Sequence, residues 1–399
     1  MRARISALLF AMVALTAAAS AQERGGNIAG TVVDSSGGVV PGVSVTATND
    51  QTNRALSTVT NGEGAFTLLN VEPGRYTVKF DLQGFGSVET PNVIVLLGAT
   101  APVNSKLSPA GLQAEVVVVA QATTIDVVTT TRQRNIPAEE FDSIPKGRSF
   151  QSLVAALPSV NQGELEGGIQ VGGASAGENL FTVDGVAVNS QINGGQRQDA
   201  VFEYLQEVQV KTSGLEAEFG GAIGGVISAV TKSGGNTFHG TFFEHYSGSA
   251  LSANNGVAKR LVIDPATQNT ASIIQDDGQK SNRNEVGFSM GGPIVRDRLF
   301  FFGSASPRFD QLDRDYTLTD NSTVTLNRSR TTMSLFGKVT WAPTSRLRAN
   351  LSSLYTPDKA EGSIPAYNGG AINSTTSNAA GLAGSQARGF EVPQWNMAL

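Results

Sequence analysis

The chain has 399 residues, with 29 lysines and arginines against 34 aspartates and glutamates, and a formal net charge of −5. This balance, without any basic run, argues against nucleic acid as a partner. Since the chain contains no cysteine, it has no disulfide framework, thiolate metal site, cysteine nucleophile or lipidated N-terminal cysteine. The length allows two or three domains, and 45 glycines with many short Val, Thr and Phe runs favour a mainly β fold.

Residues 1–21 have the composition of a secretory signal peptide. Arg2 and Arg4 precede an apolar run from Ile5 to Ala18, and the small residues at 19–21 suit a cleavage site. A membrane-spanning helix needs roughly 20 apolar residues, which neither this run nor any later stretch provides. We therefore expect export, with membrane residence only through a β-barrel.

Residues 27–108 show the pattern of a small β-sandwich. In the segment GRYTVKFDLQGF apolar and polar residues alternate, so that one face carries Tyr76, Val78, Phe80 and Leu82. Turn signals separate this strand from similar ones. The segments GTVVDSSGGVVPGVSVTATN and TNGEGAFTLLNVEPGRYTVKFDLQGF resemble the carboxypeptidase regulatory-like domain, which implies a transthyretin-like sandwich. Because the segment has no histidine and no cluster of zinc ligands, we interpret it as a noncatalytic binding or spacer module.

A linker is predicted at residues 109–135, where the composition changes. Pro109 and Gly111 loosen the chain before a run that is rich in β-branched residues, namely Glu115, Val116, Val117, Val118, Val119 and Ala120. In its position between two folded units, this run resembles a TonB box, the segment by which one family of receptors binds the energy-coupling protein TonB. Such a segment adds an extended strand to an exposed sheet edge through backbone hydrogen bonds. An ordinary strand or linker is the alternative interpretation.

Residues 136–232 mix helix and strand. Helical spacing relates Phe150, Leu153, Val154 and Leu157, with Ser149 placed to cap the helix. Strands are predicted at Ile169–Val171, Asn179–Val183 and Glu207–Val210, with a tight turn at Asp184-Gly185. The segments IPKGRSFQSLVAALPSV, IQVGGASAGENLFTVDGVAV, YLQEVQVKTSGLEAEFG and GGVISAVTKSGGNTFHG together resemble the plug domain of TonB-dependent receptors. Val171-Gly172 stands where such plugs often carry an Arg-Gly pair.

One catalytic pattern in this unit has to be weighed against its surroundings. The segment GASAG around Ser175 fits the nucleophile elbow of hydrolases, which requires a helix after the serine and a histidine base nearby. The residues that follow predict a strand, and the two histidines, His239 and His245, belong to a different unit. On a straight strand these histidines lie ~20 Å apart and cannot share a metal ion. We therefore expect no catalytic residue, no metal site and no cofactor.

From residue 233 to residue 399 the pattern becomes that of long, widely separated strands. In SLFGKVTW, one face carries Leu335, Gly337, Val339 and Trp341, and the other carries Ser334, Phe336, Lys338 and Thr340. In a barrel the apolar face meets lipid and the polar face meets the lumen. The segment GGPIVRDRLFFFGS resembles a barrel motif of the large Oar-like TonB-dependent receptors. Polar segments at 249–280 and 357–392 are predicted loops, leaving about six to eight strands of ~10 residues, the N-terminal part of a longer receptor.

Together these patterns predict a mainly β protein with a transthyretin-like β-sandwich, a mixed α/β plug domain and the first strands of a transmembrane β-barrel. The resemblance implies an outer-membrane, TonB-dependent receptor of the Oar-like type that takes up a large or scarce nutrient when TonB pulls on the box. Its partners would be TonB, outer-membrane lipid and a transported ligand. The predicted ligand contacts lie in plug loops, at Gly173, Ala174, Ser175, Asp184 and Asn189. A surface adhesion protein and a secreted hydrolase using Ser175 are the competing interpretations.

Overall fold

The computed structural model describes residues 25–110, 131–144, 147–155, 157–162, 168–190, 194, 201–251, 259–263, 270–275, 280–317, 323–344, 347–362, 389–392 and 395–398. Within these ranges the helical elements are α1 (Phe150–Val154) and 3₁₀ turns at Ala138–Ser143, Ala176–Glu178 and Phe202–Tyr204. No helix in the described part of the chain is both long and apolar enough to cross a membrane.

The strands fall into three groups along the chain. The first group is β1 (Gly26–Asp34), β2 (Ser44–Asn49), β3 (Ala55–Val59), β4 (Ala65–Val71), β5 (Gly74–Asp81), β6 (Val88–Val95), β7 (Thr100–Pro102) and β8 (Ser105–Leu107). The second is β9 (Arg132–Pro137), β10 (Val160–Gln162), β11 (Ile169–Val171), β12 (Leu180–Val183), β13 (Val186–Ala187), β14 (Leu205–Ser213) and β15 (Val226–Thr231). The third is β16 (His239–Gly248), β17 (Lys259–Ile263), β18 (Thr270–Gln275), β19 (Lys280–Val295), β20 (Leu299–Thr317), β21 (Thr323–Trp341), β22 (Ala349–Tyr355), β23 (Asp358–Glu361), β24 (Gly389–Val392) and β25 (Trp395–Ala398).

Strands β1–β8 form the predicted β-sandwich. One sheet has the order β4-β1-β7, with β8 also paired to β1, and the other has the order β3-β2-β5-β6. The alternation predicted for β5 is confirmed, because Tyr76, Val78 and Phe80 are at most 3% exposed and pack into one hydrophobic core. Leu82 lies at the margin of that core.

The second group forms the plug, in which five strands make a mixed sheet with the order β13-β12-β15-β14-β9 and β10 pairs separately with β11. Among the described strands β9 therefore lies at an edge and pairs with β14 alone. The strand predicted at Ile169–Val171 is confirmed as β11. The predicted tight turn joins β12 to β13, and Asp184 and Gly185 both have the positive φ that such hairpin turns require. The predicted cap of α1 is wrong, because the Ser149 side chain makes no capping hydrogen bond.

The third group forms a curved antiparallel wall with the order β16-β19-β20-β21-β22-β25. β23 extends the row of β22 along β21, and β24 pairs with β23, so the described wall has six rows of strands. Turns at 296–298 and 342–348 join neighbouring rows at one end, which we term the short-turn end. The ends of β16, β19 and β23 that adjoin residues 249–279 and 362–388 lie at the opposite end, which we term the long-loop end. The sandwich lies at the short-turn end, where Asn53 Nδ2 donates to Asp297 Oδ1 at 3.1 Å.

The alternation predicted for the wall strands is confirmed. On β21 the inward side chains Ser334, Phe336, Lys338 and Thr340 are at most 7% exposed, whereas the outward Val339 and Trp341 are 40% and 49% exposed. Because successive strand residues point to opposite faces, this pattern separates an apolar outer surface from the inner one. The inner surface is not uniformly polar, since Phe300, Phe302 and Phe336 also point inward.

These inward aromatic side chains join the plug and the wall in one hydrophobic core. Tyr204 of the plug is fully buried and stacks on Phe336 with ring centroids 4.7 Å apart and planes inclined by 14°. Phe302 and Leu354 of the wall belong to the same cluster as the apolar face of α1. Offset stacking of buried rings adds about 0.5–1.5 kcal/mol beyond the effect of burial. The plug is therefore seated against the wall by apolar packing as well as by the polar contacts described below.

The adjacent leucines of β4 test the sandwich core, because Leu68 is 6% exposed and Leu69 is 72% exposed. Leu68→Ala should destabilise the sandwich by about 2–5 kcal/mol, since it removes buried methyl groups and leaves a cavity. Leu69→Ala, the matched control, should change stability by no more than about 0.5 kcal/mol. The measurement is hydrogen exchange of peptides from β4 and β5 in the full-length protein. Equal exchange in the two variants would contradict this assignment of the core.

Candidate functional site

The segment predicted to bind TonB, Glu115–Ala120, lies outside the described residues, but the chain on both sides of it is described. Before it, Pro109 bridges to Phe85 and Ala110 donates its backbone N–H to Gly84, so the chain leaves from the sandwich. After it, the Thr131 hydroxyl donates to the Gly214 carbonyl at 2.9 Å, and the next residue begins β9. The segment therefore connects the sandwich to the edge strand of the plug.

The residues predicted to contact ligand do not lie together. Gly173, Ala174 and Ser175 precede β12, and Asn189 returns to the same end of the plug sheet, where its Nδ2 donates to the Asn179 carbonyl at 2.7 Å. Asp184 follows β12 at the opposite end, beside the last residue of β15. Lys338, which contacts Asp184, lies near the turn at 342–348. Asp184 thus lies at the end of β12 nearer the short-turn end of the wall, and the other four lie at the opposite end of β12.

Ser175 is the N-cap of a short 3₁₀ turn. Its backbone N–H donates to Glu178 Oε2 at 2.6 Å, which is one of the two contacts of a capping box, and its hydroxyl also donates to that oxygen at 2.9 Å. The strand predicted at Asn179–Val183 is confirmed as β12, which starts at Leu180, but a 3₁₀ turn at Ala176–Glu178 separates it from Ser175. The hydroxyl is committed to a local cap, which accounts for the nucleophile-like motif in structural terms.

Asp184 takes part in a charged contact between the plug and the wall. Its carboxylate accepts hydrogen bonds from the Lys338 ammonium group at 3.2 Å and from the Thr231 backbone N–H at 2.9 Å. Lys338 Nζ also donates to Thr231 Oγ1 at 2.9 Å. The Lys338 and Asp184 side chains are 7% and 15% exposed, so the pair is largely shielded from water. Both charges are hydrogen-bonded, which a buried ion pair requires.

Arg148 forms the second contact. Its guanidinium group donates to both carboxylate oxygens of Glu285 on β19, at 2.9 and 2.8 Å, and to Glu203 of the plug at 2.7 Å. Glu285 is 1% exposed and also accepts the Ser306 hydroxyl at 2.6 Å. His245 contributes a ring nitrogen 3.2 Å from Glu203. Bidentate pairing fixes orientation as well as distance, so this contact sets the position of the plug within the wall.

The sandwich meets the plug at Glu207, a carboxylate of β14 that is 1% exposed. Both of its oxygens lie 3.1 Å from the backbone nitrogen of Leu97, and Asn135 Nδ2 donates to one of them. Burial raises the pKa of Glu207 to about 7, and the hydrogen bonds from Asn135 and Leu97 oppose that rise. A cavity of about 370 Å³ lies nearby, lined by all three units, including Tyr76, Asp184 and Arg348.

Reasoning from the sequence did not select Arg148, Glu207 or Glu285 for any role. Arg148 lies within a segment that resembled a plug, and Glu285 is a charged residue on a wall strand, so each offered a weak signal. Glu207 offered none, because its importance depends on the sandwich loop that covers it. Among the described residues, no group of three His, Cys, Asp or Glu side chains is placed to bind a metal ion.

Known proteins resemble this chain in both sequence and structure. Residues 27–108 match the family described as carboxypeptidase regulatory-like domain, and residues 230–386 match the outer membrane beta barrel domain. The chain is 32% identical over 301 residues to the TonB-dependent transporter Oar of Myxococcus xanthus, covering 73% of this chain and 27% of that protein. It is 23% identical over 214 residues to the probable TonB-dependent siderophore receptor PirA of Acinetobacter baumannii, covering 49% and 24%.

Among solved structures, the siderophore receptor PirA from Acinetobacter baumannii aligns with a TM-score of 0.46 at 19% identity, covering 66% of this chain and 37% of that one. The outer membrane transporter YddB from Escherichia coli aligns with a TM-score of 0.44 at 18% identity, covering 57% and 33%.

The domain matches and the two-faced wall define an outer-membrane β-barrel protein with a plug on the inner side of its wall. The chain carries an N-terminal carboxypeptidase regulatory-like domain, and its sequence is similar to that of the TonB-dependent transporter Oar over 73% of its length. It spans about a quarter of the length of the curated relatives it matches. Because short turns of such barrels are periplasmic and long loops are extracellular, the sandwich lies on the periplasmic side.

A double-mutant cycle on Arg148 and Glu285 tests the seating of the plug. Each single change to alanine should lower the free energy of opening of the plug by about 2 kcal/mol or more, because it leaves a buried charge without its partner. The double change should cost less than the sum of the two. Hydrogen exchange of peptides covering 147–155 in the full-length receptor is the measurement. Arg283→Ala, which removes a half-exposed partner of Asp310, should leave this exchange unchanged; additive effects at Arg148 and Glu285 would refute the coupling.

Glu207 should make docking of the sandwich depend on pH. Its pKa rises from the ordinary value of 4.5 to about 7, so the docked state binds the proton more tightly than the undocked state does. The stabilisation is therefore fully present below pH 4.5 and is lost as pH rises through 7, a change of about 3 kcal/mol. Exchange at residues 96–99, corrected for intrinsic rates, measures this. Glu207→Gln should abolish the dependence of this exchange on pH. Glu139→Gln, which replaces an exposed carboxylate at the same joint, should leave it in place. Exchange that does not depend on pH in the unmodified protein would contradict the assignment.

Proposed function

We propose that this chain carries the plug and the first wall strands of a receptor that takes up a large or scarce nutrient across the outer membrane, driven by TonB. The observation that carries this proposal is the way the plug is held. Its contacts with the wall are side-chain packing and polar bonds, and in the described chain no plug strand pairs with a wall strand. A body held in this way can be displaced without breaking the hydrogen-bonded sheet of the wall.

The held plug explains why such uptake needs an external source of work. Hydrogen bonds to charged groups contribute about 1.5–3 kcal/mol each, and Arg148 and Lys338 make several of them in addition to the shared aromatic core. Thermal fluctuation at RT of about 0.6 kcal/mol would rarely break them together. In the proposed mechanism TonB supplies the work from the proton gradient of the inner membrane. The proposal assigns no catalytic residue and no cofactor to this chain.

TonB would bind residues 115–120 by strand addition. This mode relies on backbone groups, so a run of valines between flexible flanks suits it. The position of the segment supports the assignment, since the chain leaves the sandwich on the periplasmic side just before it and enters β9 just after it. Tension on the segment would reach the plug first at β9.

The ligand would approach the opposite end of the plug. Gly173, Ala174, Ser175 and Asn189 lie at the end of β12 opposite Asp184, where they offer backbone groups and short side chains. Asp184 lies at the periplasmic end, where its carboxylate is paired with Lys338. We therefore propose the first four for ligand contact and a seating role for Asp184.

Replacing Val117 tests the coupling segment. Val117→Pro should abolish binding of the purified periplasmic domain of TonB to the full-length receptor and abolish uptake, because proline removes a backbone donor from the added strand. Val117→Thr, the matched control, keeps the β-branched shape and the backbone N–H and should retain both. Uptake is measured with a panel of labelled siderophores, vitamins, glycans and peptides. TonB binding that survives both Val117→Pro and deletion of Val116–Val119 would disprove this site.

A further inference from the structure

One face of the plug's edge strand pair is built to receive the sandwich. On β9 the alternate residues Gln133 and Asn135 point to this face, and on β14 Glu207 and Gln209 do so. Asn135 lies directly opposite Gln209 in the register of the two strands. Glu207 and Gln209 are each 1% exposed, although both are polar. Buried polar groups of this kind need partners, and the sandwich provides them.

The partners come from a single turn between β6 and β7. Leu96 accepts the Ala99 backbone N–H at 3.3 Å, and Gly98 has φ +62°, so residues 96–99 form a β-turn. The Leu97 N–H donates to Glu207, and the Leu97 carbonyl accepts from Asn135 Nδ2 at 2.7 Å and from Gln209 Nε2 at 2.6 Å. The Gly98 carbonyl accepts from Gln133 Nε2 at 3.4 Å. The Leu97 carbonyl thus accepts one hydrogen bond from β9 and one from β14.

We propose that the turn at residues 96–99 is a latch by which the N-terminal sandwich holds the plug's edge strand β9 on β14. The latch gives the sandwich a role in the receptor: it docks on the plug and raises the resistance of β9 to being peeled away. Gln206, which donates to the Pro73 carbonyl at 2.9 Å, and the Arg75–Glu139 pair at 3.3 Å flank the turn and orient the docked sandwich.

The location of the latch decides what it does. An edge strand has one hydrogen-bonded neighbour, so it is the strand of a sheet that a pull can remove with the fewest bonds broken. Among the described strands β9 pairs only with β14, and it is the first described plug element after residues 115–120. Because the latch ties two alternate residues of β9 to the sandwich, those ties must also break before the strand leaves. This consequence for transport rests on the proposed coupling through TonB, whereas the latch itself does not.

The test measures hydrogen exchange of β9 in the full-length receptor, without TonB and without ligand. Leu97→Pro should preserve the turn, because proline is favoured at the first central position of a β-turn when a glycine with positive φ follows. The substitution removes the backbone N–H that donates to Glu207. Leu97→Ala is the matched control, because it also loses the leucine side chain but keeps the N–H. We expect exchange in peptides covering 131–137 to rise about tenfold or more in Leu97→Pro, the factor for losing a buried hydrogen bond to a charged group, and less in Leu97→Ala.

A second pair of variants keeps the test decisive if proline disturbs the sandwich itself. Asn135→Ala removes a β9 side chain that faces the latch, and Arg134→Ala removes its neighbour on the other face, which pairs with Glu140 near the surface. Exchange of β9 should rise in the first and stay unchanged in the second. The latch is refuted if β9 exchange is unchanged in Leu97→Pro while residues 96–99 become exposed, or if Arg134→Ala acts like Asn135→Ala. A receptor that does not use TonB would still show the latch, so failure of the uptake proposal is distinguishable.

Discussion

A strand of the barrel wall has one face toward lipid and one toward the interior, and a charged side chain buried on the inner face needs a partner there. Glu285 and Lys338 are such side chains, and each is buried. Their partners, Arg148 and Asp184, both belong to the plug. The wall therefore determines where the plug lies, because a shifted plug would leave buried charges unpaired, at a cost of several kcal/mol for each.

The two joints of the plug differ in chemistry. Against the wall it uses bidentate and bifurcated ion pairs around a shared aromatic core, which specify position. Against the sandwich it uses neutral amide side chains and one carboxylate on the backbone of a single turn. Neutral hydrogen bonds are individually weaker than charge-assisted ones. Burial raises the pKa of Glu207 to about 7, which makes the weaker joint sensitive to pH, so we expect the sandwich to release before the plug leaves the wall.

Patterns that depend on neighbouring residues were recovered from the sequence. The alternation in β5 and β21, the strand at Ile169–Val171 and the Asp184-Gly185 turn each express a local rule of strand or turn geometry. The differences were local. Ser149 occupies the N-cap position of α1 without a side-chain capping bond, and a 3₁₀ turn at residues 176–178, held by the Ser175 backbone N–H on Glu178 Oε2, separates Ser175 from β12. The β12–β13 hairpin places Asp184 and Asn189, which are close in sequence, at opposite ends of β12.

The sequence by itself determined the order of the units, the mainly β class, the two-faced character of the wall strands and the family resemblance, because each of these is written in residue spacing or in short motifs. Only the tertiary structure decided which charges meet. Arg148 and Glu285 are 137 residues apart, and Leu97 and Glu207 are 110 apart. Such pairings are set by the stacking of one unit on another. They depend on the position of a whole folded surface, which no local pattern of residues encodes.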